Sequence, residues 1–181
     1  MTRGRAAAQL AAATTLIFTL LAAAPPLGAM PGADRAAAFA RHLPFAAPGY
    51  FPLPTAPQYG DGLGAGRGHE GQDLFAPAGT PELAVSEAIV LEAASGDNGG
   101  RGNYVSIYSP AANRTYNYFH MLEAPLVEAG DQVRAGDELG RLGCSGSCWG
   151  DHLHFEVRRG RDPYGPVLDP LPFLKRLEPG D

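Results

Sequence analysis

Apolar and polar residues alternate over several short stretches in the second half of the chain. The alternation is clearest in residues 103–109 (NYVSIYS), 114–122 (RTYNYFHML) and 152–158 (HLHFEVR), which are also rich in β-branched and aromatic residues. Residues 82–94 (ELAVSEAIVLEAA) form a further apolar stretch between two turn-rich segments. In a strand, successive side chains point to opposite faces, so one face of each stretch would lie towards a core and the other towards solvent. We therefore predict an all-β domain built on one antiparallel β-sheet, with almost no helix.

Turn-forming residues separate the predicted strands. The chain contains 24 glycines and 17 prolines, together over a fifth of its 181 residues, which argues against a helical bundle. A local repeat places Ala129-Gly130-Asp131 six residues before Ala135-Gly136-Asp137. Two identical turns at this spacing predict tight bends at the rim of the sheet. Residues 169–174 (DPLPFL) are expected to close the domain.

The first 29 residues have a different composition from the rest. Arg3 and Arg5 precede a mostly apolar stretch at residues 6–24, and small residues and prolines follow through Ala29. This layout predicts a secretory signal peptide over residues 1–29 and an exported protein, located in the periplasm, the cell envelope or the medium. The alternative is an uncleaved membrane anchor, because the apolar stretch is long enough to span a bilayer. No cysteine lies near the predicted cleavage site, which excludes a lipoprotein.

Residues 30–58 are predicted to link this segment to the domain. Residues 33–43 are rich in helix-forming alanine and predict a short helix. The prolines between residues 44 and 57 predict an extended segment, and the domain itself is expected over residues 59–181. Every second residue between Gly60 and Gly68 is glycine, which predicts a loop able to approach another group closely. It lacks the sequence signatures of a phosphate-binding loop.

The charge balance excludes one class of partner. The chain has 14 basic and 19 acidic residues, giving a formal net charge of -5. Removal of residues 1–29 takes away two arginines and no acid, so the charge becomes 12 − 19 = -7. Such an acidic protein has no electrostatic basis for binding nucleic acid. We expect a monomer that contacts a membrane only if the N-terminal segment is retained.

The histidines carry the chemistry that the sequence suggests, and they are His42, His69, His120, His152 and His154. His69 and Asp73 are spaced H-x-x-x-D in a glycine-containing stretch, so both side chains of an extended chain can reach one point. His152 and His154 are two residues apart and share one face of a strand. Two imidazoles and a carboxylate form the ligand set of an open catalytic zinc site, with water as the fourth ligand. His42 fits an exposed helix histidine, or a fourth ligand if residues 30–50 fold back.

Cys144 and Cys148 are four residues apart among glycines and serines, which predicts a short disulfide in an exported protein. An alternative is a closed Cys2His2 zinc site formed with His152 and His154. That alternative leaves the H-x-x-x-D motif without a role. A thiol-redox function is disfavoured because the spacing is C-x3-C and not C-x-x-C.

Four motifs together resemble one family. HEGQD at residues 69–73, YFHM around His120, VEAGDQVRAGDELGRLG, and GDHLHFEVR are similar to the lysostaphin-type zinc endopeptidases, also called LytM-domain peptidases. The resemblance covers about residues 59–174, with the motifs in the family's order. It implies a lysostaphin-like, barrel-sandwich-like fold, one Zn²⁺ per chain, and hydrolysis of peptide bonds in bacterial peptidoglycan.

The resemblance also implies roles for individual residues. The metal ligands would be His69, Asp73 and His154, while His120 and His152 would act on the attacking water and the tetrahedral intermediate. A neutral imidazole can take the water's proton, and a protonated one can stabilise the oxyanion. We assign the base to His152 and the oxyanion donor to His120.

The sequence departs from some relatives before the first ligand. These relatives carry a tyrosine a few residues earlier, whereas here Tyr59 lies further away and Arg67 is nearer. Arg67 fits a solvated loop residue, or a residue that binds a substrate carboxylate. A second functional hypothesis is a non-catalytic relative that activates other wall hydrolases. The presence of every ligand and both accessory histidines favours the enzyme, and the peptide bond that it cleaves stays open.

Overall fold

The computed structural model describes residues 49–66 and 68–178. The predicted signal peptide or anchor, the short helix at 33–43, His42 and Arg67 lie outside the described residues. Within the described part, no helix is both long and apolar enough to cross a membrane.

The described residues form ten strands, one helix and a short 3-10 turn at Asn98–Gly100. They are β1 (Gln58–Tyr59), β2 (Gln72–Phe75), β3 (Pro81–Leu83), β4 (Ala88–Ala94), β5 (Asn103–Ser109), β6 (Arg114–Met121), β7 (Gln132–Val133), β8 (Glu138–Arg141), β9 (His152–Arg159), β10 (Val167–Leu168) and α1 (Leu171–Leu177). The prediction of an antiparallel all-β domain is confirmed. The three strands with the clearest alternation appear as β5, β6 and β9.

Two antiparallel sheets make up the fold, where one was predicted. The larger sheet has the strand order β1-β2-β9-β6-β5-β4-β7, with β10 also paired to β9. The smaller sheet pairs β3 with β8. The central strand β9 lies between β2 and β6, so residues from three non-consecutive parts of the chain meet there.

The alternation in the sequence produces the core as predicted. Leu74, Leu153 and Phe155 are fully buried, and their neighbours along the strands face the opposite side of the sheet. Phe51 and Leu53 are buried in the same core, although they precede the predicted domain start at residue 59. The proline-rich segment therefore packs against the domain from residue 51 onward.

Residues 82–94 form two strands in different sheets. The break falls where the amide of Val85 donates to the Tyr118 hydroxyl (3.0 Å) and not to a neighbouring strand. Ala84 and Val85 are both buried at this crossing. The Tyr118 hydroxyl thus replaces a strand partner for the Val85 amide, and apolar content alone does not reveal the break.

The two predicted rim turns have the same hydrogen bonds. Gly130 and Gly136 adopt positive φ angles of 95° and 89°, a region that favours glycine. Asp131 and Asp137 each accept a hydrogen bond from the amide three residues earlier, at 2.9 and 2.8 Å. The closing segment after residue 169 continues as α1, whose prolines lie at its start, where no intrahelical amide bond is lost.

Candidate metal centre and cleft

Asp73 and His154 are brought together by strand register. Asp73 on β2 lies directly opposite His154 on β9. The Asp73 Oδ1 atom lies 3.0 Å from His154 Nδ1. Because the neighbours Leu74 and Leu153 are fully buried, a shift of either strand by one residue would move these ligands into the core. The sheet therefore fixes half of the predicted ligand set.

His69 reaches the same carboxylate from the glycine-rich loop between β1 and β2. Its Nε2 lies 3.0 Å from Asp73 Oδ1, and its Nδ1 lies 3.0 Å from the carbonyl oxygen of Gly62. A Cβ atom on Gly71 would lie 2.7 Å from His154 Nε2, so this position requires glycine. Within the predicted stretch of residues 60–68, a close approach occurs at Gly60, where a Cβ atom would lie 2.4 Å from Phe75 Cε2, whereas Gly64, Gly66 and Gly68 have no described atom within 4 Å of such a position.

The geometry of these three residues fits a zinc ion. One ligand atom from each of His69, Asp73 and His154 lies within 4.8 Å of the others. If the Nδ1 proton of His69 is donated to Gly62, the lone pair on Nε2 faces Asp73. The set of two nitrogens and one oxygen matches catalytic zinc sites that keep an open position. No cysteine belongs to it.

A second layer of polar residues holds His154. Its Nε2 lies 3.2 Å from Glu156 Oε1. Glu156 is buried, and its other oxygen accepts hydrogen bonds from Asn117 Nδ2 (2.7 Å) and from Arg158 Nε (3.0 Å) and Nη2 (2.8 Å). Such carboxylate–histidine pairs orient metal ligands and fix their tautomers. Glu156 therefore leaves Nδ1 of His154 as the atom available to a metal.

The charges at this centre stabilise one another. Burial alone would raise the pKa of Asp73, but hydrogen bonding to His154 and the nearby imidazoles lower it below its usual value. For His154, burial lowers the pKa, while the hydrogen bonds to Asp73 and Glu156 outweigh it and raise the pKa to about 9. Metal binding at Nδ1 thus requires His154 to release a proton that both carboxylates stabilise.

His120 enters the site through an irregular end of β6. The pairing of β5 and β6 shifts register between Asn103 and Val105, which face Met121 and Tyr118. His120 has a positive φ of 69°, unusual for a residue with a side chain. Phe119 stacks on His154 at 5.5 Å, and the ring of His120 lies 6.0 Å from the same residue. The bulge thus turns two consecutive side chains towards one site.

The two accessory histidines, His120 and His152, are both held by the disulfide loop, residues 144–150. The Nδ1 of His120 lies 2.8 Å from the carbonyl oxygen of Ser145, and that of His152 lies 2.7 Å from the carbonyl oxygen of Gly150. Their rings lie 4.9 Å apart. These contacts leave Nε2 of each ring directed away from the loop, and that of His152 lies 3.7 Å from Asp73 Oδ1.

The predicted disulfide between Cys144 and Cys148 is present, with a Cα–Cα distance of 5.5 Å. Both sulfurs are used by this bond, so the Cys2His2 alternative has no thiolate ligands. Nδ1 of His152 is bonded to the Gly150 carbonyl, and His154 faces Asp73. The disulfide and these two contacts therefore disfavour the Cys2His2 alternative.

A cleft of about 700 Å³ contains all five predicted site residues. Asp61 and glycines of the loop after β1 line one wall, and Gly99, Gly100 and Arg101 line another. Trp149, almost fully exposed, belongs to the disulfide loop at the rim. The predicted ligands and accessory histidines are thus accessible to a molecule that binds in this cleft.

An all-β fold with an open two-histidine, one-aspartate set beside two further imidazoles defines a site of the metallopeptidase class. The family comparison agrees. The model of Peptidase family M23 matches residues 67–166, over half of the chain, and the chain belongs to this family of zinc metallopeptidases.

Relatives with known names share the matched region. The glycyl-glycine endopeptidase ALE-1 of Staphylococcus capitis is 33% identical over 127 residues, which are 70% of this chain and 33% of that protein. The peptidoglycan DD-endopeptidase ShyC of Vibrio cholerae is 39% identical over 92 residues, 50% of this chain and 20% of that protein. The chain thus spans a third or less of each of these relatives.

The solved catalytic domain of lysostaphin from Staphylococcus simulans has a similar fold. The two structures align with a TM-score of 0.55 and 30% sequence identity, covering 77% of this chain and 97% of that domain. The predicted lysostaphin-like fold is confirmed.

Sequence reasoning missed the residues that hold the predicted ones. Glu156 follows His154 by two positions, so strand alternation alone would have turned both towards one face. Asn117 lies opposite Glu156 on β6, a pairing that needs the register of the sheet. The carbonyl groups of Gly62, Ser145 and Gly150 leave no signal in residue identity, because every residue has one.

Proposed function

We propose that this protein is a zinc metalloendopeptidase that hydrolyses peptide bonds in bacterial peptidoglycan. The observation that carries the proposal is the convergence of His69, Asp73 and His154 on one point. Beside this point lie two imidazoles that contact the disulfide loop through Nδ1 and so keep Nε2 on the side of the cleft. The relatives named as glycyl-glycine and peptidoglycan DD-endopeptidases support a wall-peptide substrate.

The metal would be held by His69 Nε2, Asp73 Oδ1 and His154 Nδ1. Bound zinc polarises a scissile carbonyl and lowers the pKa of a bound water towards neutrality. The residues of the chain supply the remaining functions. Gly62 and Glu156 orient the two imidazole ligands, and the peptide substrate would bind in the cleft that these residues line.

Proton transfer falls to the accessory histidines. We propose that His152 accepts a proton from the attacking water at Nε2 and later delivers it to the leaving amine. Burial, opposed by the hydrogen bond to Ser145, lowers the pKa of His120 to about 4. His120 therefore starts neutral and must take up a proton before Nε2 can donate to an oxyanion. Because the same low pKa makes His120 a weak base, we assign proton acceptance to His152 and keep the oxyanion role of His120 as a prediction.

We also propose that the protein acts outside the cytoplasm as a monomer. The predicted signal peptide, the disulfide and a polymeric wall substrate all agree with an oxidising, extracytoplasmic location. An N-terminus retained as an anchor would keep the same domain at the membrane surface.

Digestion of purified sacculi tests the proposed function. The zinc-loaded protein should release soluble muropeptides whose masses show a cleaved peptide bond and intact glycan. Chelation should stop the release, and restored zinc should recover it. Asp73→Ala, prepared in parallel, should release none. The regulator hypothesis predicts intact sacculi with the wild type alone and faster digestion when a wall amidase is added.

A further inference from the structure

Arg101 lines the cleft and lies on a turn whose backbone contacts His120 and the disulfide loop. Its carbonyl oxygen accepts a hydrogen bond from the backbone amide of His120 (2.9 Å). The preceding Gly100 accepts one from the amide of Ser147 in the disulfide loop (2.8 Å). The turn that carries Arg101 is therefore tied to the same loop that holds the accessory histidines.

The guanidinium group of Arg101 is held in a fixed position by aromatic rings. It lies 4.6 Å from the centre of the Tyr104 ring and 5.1 Å from that of Tyr164. Its Nε donates to the Asn98 carbonyl (3.0 Å), and its Nη1 donates to the Tyr164 hydroxyl (2.7 Å). Rings and hydrogen bonds of this kind reduce the entropy that a long side chain loses when it binds a ligand.

One acidic residue stands behind this arrangement. Glu92 Oε2 accepts hydrogen bonds from the hydroxyls of Tyr104 (2.9 Å) and Tyr164 (3.0 Å). The same oxygen lies 4.0 Å from Nη1 of Arg101, at the limit of an ion pair. Glu92 thus hydrogen-bonds to both tyrosine hydroxyls, whereas its contact with Arg101 is longer. Nη2 of Arg101 has no hydrogen-bond partner among the described residues.

A single aromatic ring separates Arg101 from the metal-ligand set. The guanidinium lies 5.9 Å from the centre of the Phe119 ring. Phe119 also stacks on the metal ligand His154, at 5.5 Å with an interplanar angle of 5°. Arg101 and His154 thus contact the same ring in one cleft, so a group bound to Arg101 would lie on the same side of the molecule as the metal-ligand set.

The charge of the cleft makes this arginine distinctive. Among the described residues that line it, Arg101 is the sole lysine or arginine, and the acids Asp61 and Asp73 lie there as well. The chain as a whole carries a formal charge of -5. An anionic peptide would meet a cation at this place in the cleft. The planar guanidinium group is suited to binding a carboxylate through two parallel hydrogen bonds.

We propose that Arg101 binds a free carboxylate on the residue next to the cleaved amide. The inference rests on the proposed function and narrows its substrate class. In a wall cross-link between D-alanine and diaminopimelate, the carbon that bears the cleaved nitrogen also bears a free carboxylate. The interior of a glycine bridge has no such group. The favoured substrate is therefore the cross-link with a carboxylate beside the amide nitrogen.

Two peptides that differ in one group test this inference. Both contain the same cross-link, with the adjacent carboxylate either free or converted to a primary amide. We expect wild-type kcat/KM to be about ten- to a hundredfold higher for the free acid, the range of a charge-assisted hydrogen bond. Arg101→Gln should bring this ratio close to one, and Arg101→Lys should keep part of it.

The control variant is Arg161→Gln, because Arg161 lies over Tyr108 and is absent from the cleft lining. It should keep the wild-type ratio, and zinc content should show that each variant is folded. Equal wild-type rates on the two peptides, or an unchanged ratio in both Arg101 variants, would overturn the inference while leaving the peptidase intact. Failure to cleave either peptide or sacculi would instead contradict the proposed function and the inference together.

Discussion

The metal-ligand half of the site rests mainly on paired strands, whereas both accessory histidines depend on the disulfide loop. Asp73 and His154 face each other across β2 and β9, with Glu156 behind His154 on the same strand. His120 and His152 are bonded to the loop carbonyls of Ser145 and Gly150. Directly paired strand residues bring Asp73 and His154 together, whereas the rings of His120 and His152 are each oriented by one contact with a loop carbonyl. The comparison predicts that zinc binding and proton transfer can be lost separately.

The largest effect should come from the sheet-borne ligands. Asp73→Ala and His154→Ala should lose zinc and activity together, because each removes one of three donors. Loss of the metal removes several kcal/mol of transition-state stabilisation, or roughly a thousandfold in kcat/KM. Metal analysis and peptide hydrolysis on the same samples check this. Glu123→Ala, an exposed acid away from the cleft, should behave as the wild type.

Substitutions of His120 and His152 should separate zinc binding from catalytic activity. His152→Ala and His120→Ala should keep near-stoichiometric zinc and lose activity by about a hundredfold or more, the scale for removing an acid–base group or an oxyanion donor. Zinc content and kcat measured in parallel check the separation. Zinc lost from His152→Ala as readily as from His154→Ala would contradict the division of the site into two halves.

A smaller effect is expected behind the ligand. Glu156→Gln keeps the size of the side chain but removes the charge that faces His154 Nε2. We expect zinc affinity to fall by about ten- to a hundredfold, the usual range for a residue that orients a metal ligand. Competition with a chromophoric chelator measures this directly. Glu123→Gln is the matched control, and an affinity in Glu156→Gln equal to this control would rule out an orienting role.

The smallest effect should follow removal of the disulfide. Replacing Cys144 and Cys148 with serine opens a loop of five residues, whose closure contributes about 2 kcal/mol at most. We expect a melting temperature lower by roughly 5 to 10 °C at most, a moderate loss of kcat, and unchanged zinc. Differential scanning calorimetry and zinc titration check the two outcomes. Zinc lost from the double variant would show that the loop also supports the ligands.

The sequence predicts the sheet half of the site better than the loop half. Alternation in HLHFEVR turns His154 towards one face and Leu153 towards the core, as observed. The same rule would send Phe119 and His120 to opposite faces of β6, yet the bulge and the positive φ of His120 bring both to the site. A bulge depends on the pairing of two strands, so one strand's pattern does not contain it.

The cleft walls were also beyond sequence reasoning. Arg101 follows Asn98, Gly99 and Gly100, a stretch that predicts a turn and no chemistry. Its position against Tyr104 and Tyr164 requires residues 63 positions apart to meet. By contrast, the disulfide was predictable because its two cysteines are neighbours in the chain. The sequence did not predict which carbonyl groups of the disulfide loop contact His120 and His152.

Zinc stoichiometry of His69→Ala tests the central claim most directly. His69 belongs to the metal set alone, comes from a loop outside the β9 strand, and has no place in any site built from the cysteines. Wild-type protein purified without chelator should contain one zinc per chain. The His69→Ala variant, shown by its melting curve to be folded, should contain almost none. A folded His69→Ala variant with one zinc per chain would contradict the proposed metal centre and the mechanism built on it.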